Sequence, residues 1–462
     1  MYGFSPPQTI AATGQLLVTF RSPRRPLYSP RPRVCPDAFP PASEPMTSPL
    51  RLLALAAPAL LAACDTGGIA SGDGRIYAGG TYFGKYLALD GDAALASAYG
   101  SDEAFVLRHS ADGWEREAQL TPPRQLPEDA LFGWSVALDA DIAVIGAPVF
   151  GTASETVPGR AYIYEKRGTT WERTAELVPP QPAAGARLGY FGLPVAVSEG
   201  RVAVTSNAST ASPSDEVVGP AAVLIYERTA TGWMETARVE ETELSPNGRT
   251  EGFGYGMALD GDRLAVGSPG QDVGGVQGAG VIRVYERAGT AWPLAATLTV
   301  PRPQERDVVG ESVALDGPLL AAASTSHEVE GELGSGAVFV FRQTSGTWAY
   351  DGMLRPPDLG FLDSYGYALD ADAGPGGERV AVSAAGREGT RGSVFVWVRQ
   401  PSGAWELEAE LWPEGRGRGT GFGEGVAIEG DRLLAGAIGV GGEEGAVYEF
   451  RRGPSGWEQV TF

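Results

Sequence analysis

The chain has 462 residues, with 65 Gly, 35 Pro and only 2 Cys, and its 36 basic and 57 acidic side chains give a formal charge of −21. So few Cys exclude a disulfide-stapled scaffold, and so negative a chain lacks the basic face that nucleic acid requires. A hydrophobic content of 43%, with 9% aromatic, excludes disorder, and the frequent Gly and scarcity of long apolar runs argue against a helical protein.

Residues 1–45 are Pro- and Arg-rich, show no periodicity and read as an upstream over-extension of the reading frame. A different pattern begins at Met46, where one positive charge, Arg51, precedes an uncharged, mostly apolar run over 52–63. That run is shorter than the roughly 20 residues a spanning helix needs, and it fits the apolar region of an export signal over 46–63. It ends Leu61-Ala62-Ala63-Cys64, small residues before a Cys. This resembles the lipobox of bacterial lipoproteins. The resemblance implies that Cys64 is acylated, becomes the mature N-terminus and anchors the protein in the cell envelope, with 64–79 as a tether. Residues 1–63 hold six Arg and two acids, so the remainder carries −25.

From residue 80 onward one unit is written seven times. Seven Trp follow short Gly-containing turns: Trp114, Trp171, Trp233, Trp292, Trp348, Trp405 and Trp457. An aromatic or Val followed by Gly precedes each: Phe83-Gly84, Phe132-Gly133, Phe191-Gly192, Phe253-Gly254, Val309-Gly310, Tyr365-Gly366 and Phe422-Gly423. Between these markers lie four short β-patterned runs. The first two are joined by Asp-Gly turns such as Asp90-Gly91 and Asp316-Gly317, a hairpin signal that wants positive φ at both central positions. Four-stranded units in seven copies predict an all-β fold, a seven-bladed β-propeller of antiparallel blades. The blades are expected at about 80–123, 130–180, 189–240, 251–300, 307–357, 363–413 and 420–462.

Phe-Gly before the first strand and Gly146-Ala147-Pro148 after the second, with Gly267-Ser268-Pro269 as a variant, resemble the FG-GAP repeat that builds the propeller of integrin α-chains and many bacterial surface proteins. Physical roles follow for the repeated residues. Gly on the first strand is expected to let backbones crowd the axis, and Phe to wedge between blades. Trp is expected to cover the wider gap at the rim. The Leu or Val six residues later (Leu120, Leu177, Val239, Leu298, Leu354, Leu411) should return to the same face by the two-residue period.

Strands alternate in direction, so the 1–2 and 3–4 turns share one face and the 2–3 and 4–1 loops the other. The second set is long and differs between copies, which predicts binding there; the integrin resemblance implies the same face. Its acids are Glu155, Asp215, Glu216, Asp272, Glu328, Glu330, Glu443 and Glu444, together with Glu240 and Glu241. They read either as a solvated rim or as a surface for a basic partner. The integrin-type Ca²⁺ loop needs many oxygens, and only the sixth copy has a longer 1–2 connection. Its Asp370, Asp372 and Glu378 are the candidate ligands, although a Gly-Pro insertion is the better reading, and no metal or other cofactor is expected.

Two His are present. His109 ends a third strand and reads as a surface residue. His327 lies in a variable loop with Ser324, Ser326 and Glu328 nearby, but adjacency does not assemble a catalytic site. The expectation is therefore a monomeric, lipid-anchored, non-catalytic binding or adhesion module for a protein or glycan, without nucleic-acid partners and touching membrane only through its anchor. The alternatives are a periplasmic scaffold for envelope assembly and, least favoured, an enzyme with its site at the propeller axis.

Overall fold

A computed structural model describes residues 69, 74–123, 126, 130–149, 157–179, 190–206, 221–241, 252–329, 334–360, 363–415 and 417–461. It contains seven four-stranded antiparallel blades. Helix among the described residues is limited to the short turns Tyr99–Ser101 and Arg387–Thr390. None is long and apolar enough to cross a membrane. The predicted acylation site, Cys64, lies outside the described residues.

The inner strands are Leu87–Asp90, Ser135–Asp139, Val195–Ser198, Met257–Asp260, Val313–Asp316, Tyr365–Asp372 and Phe422–Glu429. The ring closes through the seventh blade, whose outer edge is composite. Gly456–Gln459 pairs with one half of Ala446–Gly453, and Arg75–Ile76, from the segment read as a tether, pairs with the other half.

Seven apolar cores alternate with the seven blades, each built from two neighbours. Phe132, Phe191, Phe253 and Phe422 are wholly buried in them, each worth about 1.5–3 kcal/mol. The Phe-Gly glycines all take positive φ, between +81° and +99°. Their amides bind the second strand of their own blade, as Gly133 N does to Gly146 O at 3.0 Å, which ties the two motif halves together. The crowding expected at the axis lies instead between blades. A Cβ on Gly146 would stand 1.9 Å from the Gly192 carbonyl oxygen, and one on Gly436 1.9 Å from that of Gly84.

Two further expectations are corrected. The two-residue 1–2 turns take positive φ at the first central residue (Gly91, Ala140, Gly261, Gly317, Gly430), and only Glu199-Gly200 takes it at both. The Trp and the Leu six residues later face opposite ways. Trp114 packs in the core shared with the seventh blade, and Leu120 in the core shared with the second. The cause is a β-bulge in the outer strand. Ala118 pairs with Val106 and Arg116 with Leu107, which skips Glu117, and the extra residue inverts the alternation. The same bulge recurs in blades two to six, at Thr174, Thr236, Ala295, Asp351 and Glu408.

The bulge residue is aimed at the following blade. Trp171 Nε1 donates to Glu117 at 2.7 Å, Trp405 Nε1 to Asp351 at 2.9 Å and Trp457 Nε1 to Glu408 at 3.0 Å. Trp233 and Trp114 find carboxylates on third strands instead, Glu165 at 2.8 Å and Glu449 at 3.0 Å. For Trp348 the preceding bulge residue is Ala295, and its indole nitrogen is buried without a hydrogen bond.

On the 1–2 face a second ring of bonds links the blades. A polar residue at or near the end of each inner strand accepts from a backbone amide of the next blade: Asp90 from Ala140, Asp139 from Gly200, Ser198 from Gly261, Asp260 from Gly317, Asp316 from Ala373, Asp370 from Ile428 and Glu429 from Gly91. The distances run from 2.5 Å for Asp90 to 3.4 Å for Asp139, and the circuit is complete.

A hydrogen bond to a charged acceptor is worth about 1.5–3 kcal/mol, and a buried unpaired donor carries a cost of its own. Trp171→Phe should therefore lose at least about 1 kcal/mol more stability than Trp348→Phe in urea unfolding. Equal losses would show that the indole–carboxylate bond contributes nothing.

Candidate functional site

The residue after each Phe-Gly glycine stands at or just before the inner strand, and Lys85, Tyr255, Tyr367 and Glu424, from four blades, meet at the propeller axis. The seven residues at this position are Lys85, Trp134, Leu193, Tyr255, Glu311, Tyr367 and Glu424. The position repeats, but the residue does not.

Lys85 forms the centre of the cluster. It is 5% exposed, ion-paired with Glu424 of the seventh blade and hydrogen-bonded to the Tyr367 hydroxyl of the sixth at 2.6 Å. Its ammonium also lies 4.6 Å from the Tyr367 ring centroid and 5.6 Å from that of Tyr86. Burial alone would lower its pKa. Tyr367 and Glu424 outweigh that and hold the ammonium charged.

Aromatic rings surround this pair. Tyr99 stands edge-on to Trp134 at 5.0 Å and stacks on Tyr82 at 5.1 Å, and Tyr86 tilts against Trp134 at 5.9 Å. Burial pushes the Tyr86 hydroxyl well above its ordinary range, and the fields of Tyr367, Tyr99, Glu424 and Tyr255 push it further. Those residues belong to the first, fourth, sixth and seventh blades, which come within reach of one another only at the axis.

Tyr255 and Tyr367 are 59% and 45% exposed, so the mouth presents open aromatic surface. Burial raises the Tyr255 hydroxyl, with Glu311, Tyr367 and Tyr190 adding to the effect. Glu311 is held by Thr325, whose hydroxyl and amide donate to Oε2 at 2.6 and 3.3 Å. Its carboxyl is raised by burial, which those two bonds only partly offset.

The acids singled out from sequence do not converge. Asp272 is exposed and accepts from Gly278 N within its own loop at 2.9 Å. Glu328 is half-buried, its backbone clamped by the Gln304 side chain at 2.8 and 3.2 Å. Glu443 and Glu444 are exposed, and their carbonyls accept from Tyr82 and Phe83. Of the four, Glu443 touches the axial cluster, by hydrogen bonding the Tyr82 hydroxyl. Glu241 is buried against Arg283 at 3.0 Å and is a structural pair. Glu155, Asp215, Glu216 and Glu330 lie outside the described residues.

The candidate Ca²⁺ set is dispersed into other bonds. Both Asp370 oxygens are used, by Ile428 N and Ala371 N, each at 2.9 Å. Asp372 accepts from Gly374 N at 3.3 Å, and Glu378 pairs with Arg342 at 2.9 Å. Among the described residues no three acids, His or Cys group as metal ligands would. His327 lies in the loop after Leu319–Ser324, as expected, but it is buried there. Its Nδ1 meets Asp307 Oδ1 at 2.8 Å, while the Ser324 hydroxyl donates to the Asp307 backbone carbonyl and is engaged away from the imidazole. His109 is half-buried, edge-on to Trp114 at 5.2 Å.

The FG-GAP repeat family model matches residues 114–164. Among curated proteins none matches the chain by sequence. Solved structures match in fold. A candidate 6-phosphogluconolactonase of Bacteroides uniformis is 10% identical with a TM-score of 0.52, covering 78% of this chain and 91% of its own. A candidate 6-phosphogluconolactonase of Bacteroides fragilis is 11% identical with a TM-score of 0.50, covering 83% and 92%. The chain thus carries the FG-GAP repeat on a seven-bladed propeller. The expectation of a non-enzyme is corrected, because the same architecture occurs in proteins described by a catalytic activity. At this identity the likeness is one of fold and carries no substrate.

Asp370 gives a pH test of the inter-blade ring. Burial raises its carboxyl to about 7, against the opposing bonds from Ile428 and Ala371. Between about pH 4 and pH 7 the folded chain keeps a proton that the unfolded chain has lost, so stability falls as pH rises through that window. Asp370→Asn keeps an acceptor for Ile428 without the charge. It should match the parent near pH 4 and exceed it by about 2–4 kcal/mol above pH 8 in denaturant titrations; a constant difference would refute the assignment.

Proposed function

We propose that the chain is a ligand-binding propeller whose axial mouth, with the surrounding 2–3 and 4–1 loops, receives a protein or glycan. The observation that carries this reading is the exposure of Tyr255 and Tyr367 beside a buried, charge-paired Lys85. Exposed aromatic rings at a concave mouth supply large contact area at low entropic cost, and the fixed polar groups beneath them supply orientation. The ring holds these groups on separate blades, so a ligand meets a preformed surface.

A glycan and peptide array on the purified chain identifies ligands, and calorimetry measures them. Tyr255→Ala should weaken binding at least tenfold, about 1.4 kcal/mol, with the fold intact by circular dichroism. Binding that is unchanged by Tyr255→Ala refutes an axial site.

We further propose that the protein is exported and held in the cell envelope by acylation of Cys64, on the strength of the Leu61-Ala62-Ala63-Cys64 motif. Cys64→Ser should shift the chain from the membrane fraction to the soluble fraction; unchanged retention refutes the anchor.

A further inference from the structure

We infer that the ligand group received at the axial mouth is an ammonium, bound between Glu311 and the Tyr255 ring. This inference rests on the axial reading above and specifies its chemistry. Two carboxylates from Phe-Gly turns reach the axis, and they are not equivalent. Glu424 is neutralised by Lys85, whose charge is thereby consumed. Among the described residues Glu311 has no cationic partner: its bonds are those from Thr325, both to Oε2. It is half-buried, and Tyr255, on the turn beside it, is the most exposed aromatic of the cluster.

Covering this mouth changes the surroundings of Glu311. Any ligand seated on Tyr255 strips more water from the nearby carboxylate, and an unpaired charge in such surroundings is disfavoured. A neutral ligand leaves that cost standing. An anion adds to it, since Lys85 is already paired and Glu443 and Glu444 lie on the same face. A metal ion would find one free carboxylate where a hard cation wants six or more oxygens, and no three-ligand group exists among the described residues. An organic ammonium pairs with the open side of the carboxylate and lies over the aromatic face, which is favourable for a cation. The protein already solves the same problem with its own chain: Lys85 sits over Tyr367 and against Glu424. Tyr255 and Glu311 stand on Phe-Gly turns that meet at Gly256, and they offer a ring and a carboxylate without the lysine.

Ammonium groups come from amino sugars, lysine-bearing peptides and polyamines, and these are separable. The full chain is titrated calorimetrically with a glucosamine tetramer, tetralysine and cadaverine, each beside its fully N-acetylated counterpart, and with a neutral glucose tetramer. The expected result is that at least one amine binds, and that acetylation weakens it tenfold or more. Glu311→Gln weakens it by a similar factor, while Glu311→Asp recovers part of the loss. The thermal midpoint of Glu311→Gln, equal to or above that of the parent, separates lost binding from lost folding. Equal binding of amine and acetylated probes, or amine binding indifferent to Glu311→Gln, overturns the inference. Neutral oligosaccharide binding that Tyr255→Ala abolishes and Glu311→Gln spares also overturns it, and leaves the axial site itself standing. Absence of binding by every probe overturns it as well.

Discussion

Closure of the ring is the constraint on which everything else depends. A blade has only four short strands, and the apolar cores lie between blades, so each blade is stable only with two neighbours. Two circuits of directional bonds enforce that arrangement. On the 1–2 face, seven side-chain acceptors each take an amide from the next blade. At the rim, outer-strand Trp residues reach carboxylates of the preceding blade. Apolar packing supplies most of the energy, but it is non-directional. The two polar circuits fix the angle at which one blade meets the next, and so fix the number of blades and the width of the axis.

These circuits also account for part of the acidity. Asp90, Asp139, Asp260, Asp316, Asp370 and Glu429 are committed to the 1–2 face, and Glu117, Glu165, Asp351, Glu408 and Glu449 to Trp. An acid is well suited to both places because its oxygens accept several bonds at once. Glu408 takes Trp457, Arg379 and Arg452 together. A strongly negative composition here reflects internal carpentry as well as surface.

What sequence reveals is the repeated part. Phe-Gly, Asp-Gly and Trp stand at equivalent places in successive blades because each meets the same neighbour under the same geometry, and their periodicity discloses the blade count. The axial cluster is hidden by the same logic. Lys85, Trp134, Leu193, Tyr255, Glu311, Tyr367 and Glu424 occupy one repeated position with several chemistries, and a consensus across copies erases them. The signal was their common offset from Phe-Gly. The acids of the variable loops drew attention instead, and of those described, Glu443 reaches the cluster. The facing of Trp and Leu was misjudged because a single bulge residue is invisible in a two-residue pattern. Glu117, Asp351 and Glu408 look like ordinary solvent-facing strand residues until the skipped pairing is seen.

The composite outer strand of the seventh blade has a consequence for timing. Arg75–Ile76 and Gly456–Gln459 lie against one strand, so contacts separated by most of the chain complete the last blade. Until the seventh blade's strands Phe422–Glu429 and Ala446–Gly453 have been made, six blades can associate, but the ring stays an arc with unsatisfied edges at both ends. Contacts of such long sequence separation form slowly. Ring closure therefore waits for the seventh blade, and the first six, once made, stand with two open edges.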